Sequence, residues 1–233
     1  MRPSNVLSIE GGRVLARSDA ENIERVKEAD HRIANSLALI ASFIRLQAAG
    51  VAEHAAGYSA DEVKVLLTGM AYRVDAIGQV HRILSTEPQG DAIDLGKHLE
   101  DMCSAMCPFV SLNGRVELCC DPNGGCVVPT EDVVPIAMIV SEMITNAVKY
   151  AHPAGVAGWI DVGCQRDGNR IIVEVTDNGV GLPENFDVID GGGLGFKMVR
   201  ALAGQLGAIP IFDSDTLGLR FLLLVPEKDW AQL

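Results

Sequence analysis

Glu142, Asn146 and Lys149 stand at i, i+4 and i+7 of one apolar segment, a spacing that projects all three from a single helical face. Ile139, Met143 and Val148 then serve the buried side. An amide oxygen on Asn146 is a hard ligand suited to Mg2+, which keeps several waters and bridges substrate phosphates. Lys149 adds a mobile cation for phosphate oxygens. Glu142, one turn earlier, is placed to hold or polarise a water in the shell of such a metal. The competing reading is a charged, solvated face on an ordinary amphipathic helix, and this segment alone does not decide between them.

Asp177 closes the alternating run 171–176, which reads as a strand. A carboxylate at the base of a pocket accepts from an exocyclic amine and so can select adenine. Gly179 and Gly181 let the backbone turn tightly beside a base and ribose. By itself Asp177, Asn178 and Gly179 would equally make a hairpin turn. The segment after Gly181 argues for the pocket: 182–190 has no clear period and runs into Gly191, Gly192, Gly193, Leu194 and Gly195, as expected of a glycine-hinged lid over a nucleotide. From Phe196 a helical pattern runs to Gly207, and glycine-rich backbone entering a helix N-terminus is a ready anion site. Neither Gly-x-x-x-x-Gly-Lys-Ser/Thr nor Gly-x-Gly-x-x-Gly occurs here, which removes the two better-known phosphate motifs.

The order and spacing of these three motifs resemble the Bergerat (GHKL) ATPases, the fold shared by histidine kinases, gyrase, Hsp90 and MutL. The residues around them look most like the catalytic domain of a bacterial sensor histidine kinase. The resemblance implies ATP and Mg2+ as cofactors. Asn146 would carry the metal, with Lys149, Tyr150, Asp177, Gly179, Gly181, Gly193, Leu194 and Gly195 around the nucleotide and Glu142 in a catalytic role. Upstream, Asp30 to Leu37 resembles the phosphoacceptor box of the subfamily with His-Arg-x-x-Asn in place of the commoner His-Glu-x-x-Thr/Asn. His31 lies just off the apolar seam, beside Glu24 and Ala38, where a nucleophile can meet ATP. Its neutral imidazole, with an ordinary pKa of about 6.5, is a competent phosphoryl acceptor. Asp30 can orient the ring, and Asn35, one turn on, can position a water for the reverse hydrolysis. A lone helical histidine is more often structural; the downstream motifs reverse that balance for His31 and not for His54, His81, His98 or His152. His81 falls near the apolar stripe of the second helix, and His152 stands close enough to the Asn146 motif to lie by the phosphates. One departure concerns the last strand, where the family offers Gly-Thr-x-Phe and this chain has Gly218, Leu219, Arg220 and Phe221. The expectation is a weaker support for Asp177.

The elements that must position these groups fall into two patterns. In 21–49 the apolar positions Ile23, Val26, Ile33, Leu37, Ile40 and Ile44 recur at threes and fours, predicting a long amphipathic helix. A second carries Val63, Leu67, Met70, Val74, Ile77 and Leu84 and ends before Pro88. Together they form a helical hairpin whose stripes are too broad to leave bare, so a four-helix bundle formed by homodimerisation is expected. From Asp94 the pattern turns mixed: a helix over 95–110, strands at 115–119 and 125–128, the helix of Glu142 and Asn146, strands at 159–163 and 171–176, the lid, the helix after Gly195, and strands at 208–212 and 219–225. Helices on one face of a mixed sheet make an α/β sandwich. The division is 1–20 as an N-terminal segment, 21–90 as the dimerisation and phosphotransfer hairpin, and 91–233 as the ATP-binding domain.

With 48% hydrophobic and 21% charged residues, the 233-residue chain can bury a core. A formal charge of −12 argues against a nucleic-acid partner. No apolar run nears the ~20 residues of a bilayer span, and the first ten residues hold no secretory h-region. A cytoplasmic protein without membrane insertion is expected. In that compartment Cys103, Cys107, Cys119, Cys120, Cys126 and Cys164 are thiols rather than disulfides, and no Cys-x-x-Cys pair suggests zinc. The implied partner is a response regulator receiver domain. Twenty leading residues leave no room for a sensor, so a separate sensory or activating protein is possible. The rivals are a histidine phosphotransferase or phosphatase that retains the fold, which would typically lose the glycine motifs, and a GHKL-type regulatory binding protein such as an anti-sigma-factor kinase, which would lack the hairpin.

Overall fold

The computed structural model describes residues 92–111, 116–122, 125–152, 156–184, 186–188 and 193–227, with scattered positions between 34 and 78. The chain divides into two compact units, Met1–Ala41 and Ser42–Leu233. In the first, the described positions 34, 37, 38 and 41 are helical, and Leu37 is exposed. In the second, the described positions from 42 to 48 and from 63 to 78 are helical, as the three- and four-residue apolar spacing requires.

The α/β part begins with β1 (Ala92–Asp94) and α1 (Leu95–Val110), whose first turn is capped by the Asp94 carboxylate accepting from the Lys97 amide at 3.2 Å. Next come β2 (Val116–Cys120), β3 (Val127–Pro129) and α2 (Thr130–Asn146), which continues as a π turn over Ala147–Ala151. The remaining elements are β4 (Gly158–Asp167), β5 (Arg170–Asp177), α3 (Leu194–Leu206), β6 (Ile209–Asp215) and β7 (Gly218–Pro226). β1 and β3 make a small antiparallel pair. The other five form one sheet in the order β2-β4-β5-β7-β6, with β2 parallel to β4 and every other pair antiparallel.

Alternation decides which face the helices cover. Ile160, Val162 and Cys164 of β4, Ile171, Val173 and Val175 of β5, and Phe221, Leu223 and Val225 of β7 are buried, while their neighbours are partly or fully exposed. Against that single apolar face lie Leu99, Met102 and Met106 of α1, Ile136, Ile139 and Ile144 of α2, and Val199 and Leu202 of α3. The expected sandwich of helices on one side of a mixed sheet is therefore present. Thr130–Ala151 is long and apolar enough to cross a bilayer by length and composition, and 78% of that window is buried inside the domain, the pattern of a core helix.

Candidate functional site

Asp177 ends β5 in phase with Ile171, Val173 and Val175, so the pleat carries its carboxylate onto the covered face of the sheet, where it is 7% exposed. Its Oδ1 accepts from the Gly179 amide at 2.9 Å and, more weakly, from the Leu219 amide at 3.4 Å. The second bond results from register, since Leu219 lies opposite Asp177 in the β5–β7 ladder. A backbone N–H thus reaches the carboxylate from the position where the family has a threonine. The two glycines after Asp177 are places of close approach. A Cβ on Gly179 would run into the Ala151 carbonyl, which accepts from the Val180 amide at 2.9 Å. Gly181 is left-handed, with φ 69°, and a Cβ there would meet the Asp215 carbonyl and Ser214 Oγ.

Glu142 and Asn146 come from the C-terminal turns of α2, which is buried continuously from Asp132 to Thr145. Glu142 is 3% exposed, which removes the reading of this segment as a solvated charged face. Its carboxylate lies against Gly195 at the start of α3, where any Cβ would collide with it. Asn146 is half-buried, and its Nδ2 is enclosed without a hydrogen-bond partner among the described residues. Beyond it the chain widens into the π turn. The 3.6-residue spacing that groups Glu142 with Asn146 therefore does not extend to Lys149, and Val148 is only half-buried. Lys149 is half-buried and Tyr150 is 71% exposed.

A knot of side chains holds the π turn to the sheet. Asn178 Oδ1 accepts from the Trp159 amide at 2.8 Å and pairs with His152 Nε2 at 2.9 Å. The His152 ring lies over Gly158, where a Cβ would overlap it. His152 therefore serves as a strut between the π turn and the head of β4. On the other side Ser214 Oγ accepts from the Leu182 amide at 2.7 Å and donates to the Gly218 carbonyl at 3.3 Å, anchoring the start of the lid to the β6–β7 hairpin. Sequence reasoning assigned no role to Ser214, and read Asn178 only as a turn residue. Their partners lie 32 and 19 residues away, so no local pattern marks them.

In the lid, the Phe186 amide donates to the Pro183 carbonyl at 3.0 Å, and Arg200 of α3 donates to the Val188 carbonyl at 2.9 Å. Phe186, Phe196, Phe212 and Phe221 form a file with ring centroids 5.1, 5.4 and 5.0 Å apart, running from the lid through α3 into the sheet. Gly193 caps α3, its carbonyl accepting from the amides of Phe196 and Lys197, and Leu194 opens the helix. Gly191 and Gly192 lie outside the described residues, as do His31 and Asn35. The structure thus brings Glu142 to Gly195, Asp177 to Gly179 and Leu219, and the Gly179–Val180 backbone to the π turn that succeeds Asn146.

A protein-family model described as "Histidine kinase" matches residues 28–110, and one described as "Histidine kinase-, DNA gyrase B-, and HSP90-like ATPase" matches 131–229. The chain belongs to the GHKL histidine kinases. "Sensor histidine kinase PdtaS" of Mycobacterium tuberculosis is 27% identical to this chain over 217 residues, covering 92% of this chain and 41% of the relative. "Blue-light-activated histidine kinase 2" of Erythrobacter litoralis is 28% identical over 209 residues, 87% of this chain and 57% of that one. The chain therefore spans about half the length of these curated relatives. The solved histidine kinase domain of the blue-light-activated kinase EL346 from Erythrobacter litoralis superposes with a TM-score of 0.65 at 25% identity, covering 87% of this chain and 94% of that domain. ATP binding is implied for this chain by its ATPase region, and His31 and Asn35 both fall inside the matched 28–110.

Proposed function

We propose that this chain is an ATP-dependent protein-histidine kinase of a two-component system, autophosphorylating His31 and passing the phosphoryl group to an aspartate of a response regulator. The observation that carries the reading is the buried Asp177 carboxylate. With both backbone amides on Oδ1, Oδ2 is the oxygen left to accept from the adenine amine. The side chain of Asn146 suits Mg2+ because its amide oxygen is a hard ligand, and its Nδ2 is enclosed without a hydrogen-bond partner among the described residues. Asn146 would hold the ion through its amide oxygen, and the ion would supply charge neutralisation for the phosphates. Glu142 would orient a water at that end of the helix, held there by the missing Cβ of Gly195. Lys149 and Tyr150, on the π turn, and the backbone of Gly193, Leu194 and Gly195 would line the phosphate side.

In the transfer itself, a His31 ring nitrogen attacks the γ-phosphorus in line. The new N–P bond forms as the P–O bond to ADP breaks, and catalysis is mostly positioning. Asn35, one turn along the helix, would orient a water against the phosphorylated regulator. We read 21–90 as the phosphotransfer and dimerisation hairpin and 91–233 as the catalytic domain, in a cytoplasmic homodimer. Incubation of the full chain with γ-labelled ATP tests this. Label should enter the wild type, resist base and leave in acid. His31→Gln should abolish labelling while ATP affinity changes by less than about two-fold, because the variant leaves the nucleotide pocket intact. Label persisting in His31→Gln would overturn the assignment of His31, and an unlabelled wild type with ATP bound would overturn the kinase reading.

A further inference from the structure

Asp177, Leu219 and Ser214 stand in one row across neighbouring strands. Asp177 is opposite Leu219 in the β5–β7 ladder, and Leu219 is opposite Ser214 in the β6–β7 ladder. Side chains opposite one another in a ladder share a face of the sheet, so the Ser214 hydroxyl lies on the covered face with the Asp177 carboxylate. That hydroxyl both accepts and donates. It takes the Leu182 amide at 2.7 Å and gives its own proton to the Gly218 carbonyl at 3.3 Å. The Gly218 carbonyl and the Leu219 amide are opposite edges of one peptide group, and this amide donates to Asp177 Oδ1 at 3.4 Å. A continuous hydrogen-bonded chain therefore runs from the first residue of the lid, through Ser214 and a single peptide plane, to the carboxylate.

We propose that Ser214 is a positioning residue for base recognition, holding Asp177 in place for adenine through the Gly218–Leu219 peptide. The inference rests on the reading of Asp177 as the acceptor for the adenine amine. A peptide group is planar and rigid, so a bond on its carbonyl fixes the direction of its amide at the opposite edge. Here the Ser214 hydroxyl holds the plane with its N–H toward Oδ1. Hydrogen bonds in series also polarise one another, so each link strengthens the next. Gly218 makes the arrangement possible. Its φ is 142°, a value that other residues rarely adopt, and a Cβ there would run into the Asp177 backbone carbonyl. Without the hydroxyl, the Gly218 carbonyl and the Leu182 amide both lose this partner and the peptide plane is free to turn. Oδ1 then retains only the Gly179 amide, at 2.9 Å. A carboxylate held by one donor instead of two can swing, and Oδ2 is no longer pre-set for the base.

The experiment measures the affinities of the full chain for ATP and for inosine triphosphate, whose ring has a carbonyl where adenine has the amine. Wild type should prefer ATP. Ser214→Ala should lower the ratio of the two affinities about three- to ten-fold, the worth of one ordinary hydrogen bond. Its binding of inosine triphosphate should stay within about two-fold of wild type, because that base has no amine to offer Asp177. A merely structural loosening weakens both nucleotides alike and leaves the ratio unmoved. Ser214→Thr retains the hydroxyl in a strand-favouring residue and should hold the ratio within about two-fold of wild type. Ser214→Cys keeps the shape with a much weaker donor and should fall with Ser214→Ala, which covers the case of an alanine variant that does not fold. Asp177→Asn, measured alongside, should collapse the ratio. If it does so while Ser214→Ala or Ser214→Cys keeps the wild-type ratio, or Ser214→Thr falls as far as they do, the role of Ser214 is overturned and the adenine reading stands. If the wild type shows no preference, or Asp177→Asn retains it, the adenine reading falls and the role of Ser214 with it.

Discussion

The Gly179 and Leu219 amides both donate to Oδ1 of Asp177, and this fixes how the side chain can be changed. In Asp177→Asn the amide oxygen must stay where those two donors point, which turns the new NH2 group toward the nucleotide. A donor would then face the donor amine of adenine, and the lost charge-assisted bond is worth about 1.5–3 kcal/mol. Titration calorimetry should therefore find ATP bound roughly 10- to 100-fold more weakly, with the fold intact by circular dichroism. Unchanged binding would show that adenine sits elsewhere. The part of the site that depends on residue type was legible in the sequence: a carboxylate in phase with a buried alternation, and an acid and an amide four apart. The part that depends on backbone was not. Leu219 reads as the loss of a hydroxyl donor, yet its amide reaches the same oxygen, and an amide carries no signature in the sequence.

Among the elements, α1 was legible to the residue because an Asp cap and a clear apolar period mark it, over Leu95–Val110. β4 runs to Asp167, four residues beyond the expected Gly163. Its polar tail at Gln165, Arg166 and Asp167 shows no alternation and is strand only because β5 pairs with it. β1, three residues long, exists through β3 in the same way. The π turn after Asn146 is a register change with no compositional mark, which is why Lys149 was grouped with the α-helical face. The α2–α3 contact gives this scale its own test, because two glycines of α3 differ in what a methyl group would meet. Gly204 has open space around it, and Gly204→Ala should stabilise the protein by about 0.5–1 kcal/mol in denaturant unfolding. Gly195→Ala gains the same propensity but drives its Cβ into the Glu142 carboxylate. It should leave stability near wild type while labelling by ATP falls at least about ten-fold, the loss expected when a group set to polarise water is displaced. Equal behaviour of the two variants would remove Glu142 from the mechanism.

For the whole molecule, the described helical positions before residue 80 expose Leu37, Ile44, Val63, Leu67 and Val74 to solvent, with Leu67 at 57%. These fall on the two apolar stripes of the expected hairpin. One member of the second helix is already engaged: Gly69 is buried, and a Cβ there would lie 3.3 Å from the Thr145 methyl. Leu67 and Val74, seven residues apart, share a face that remains open. Burying an aliphatic side chain is worth about 1.5–3 kcal/mol, and in a symmetric dimer each stripe counts twice. A Leu67→Lys, Val74→Lys double variant removes that gain from both subunits and sets like charges at the interface. Sedimentation velocity at micromolar protein should show the wild type as a dimer and the variant as a monomer. ATP binding to the monomer should stay within about two-fold of wild type, because neither substituted residue is among those assigned to the nucleotide. A variant that still sediments as a dimer would move the interface off this stripe, and a monomeric wild type would remove the bundle altogether.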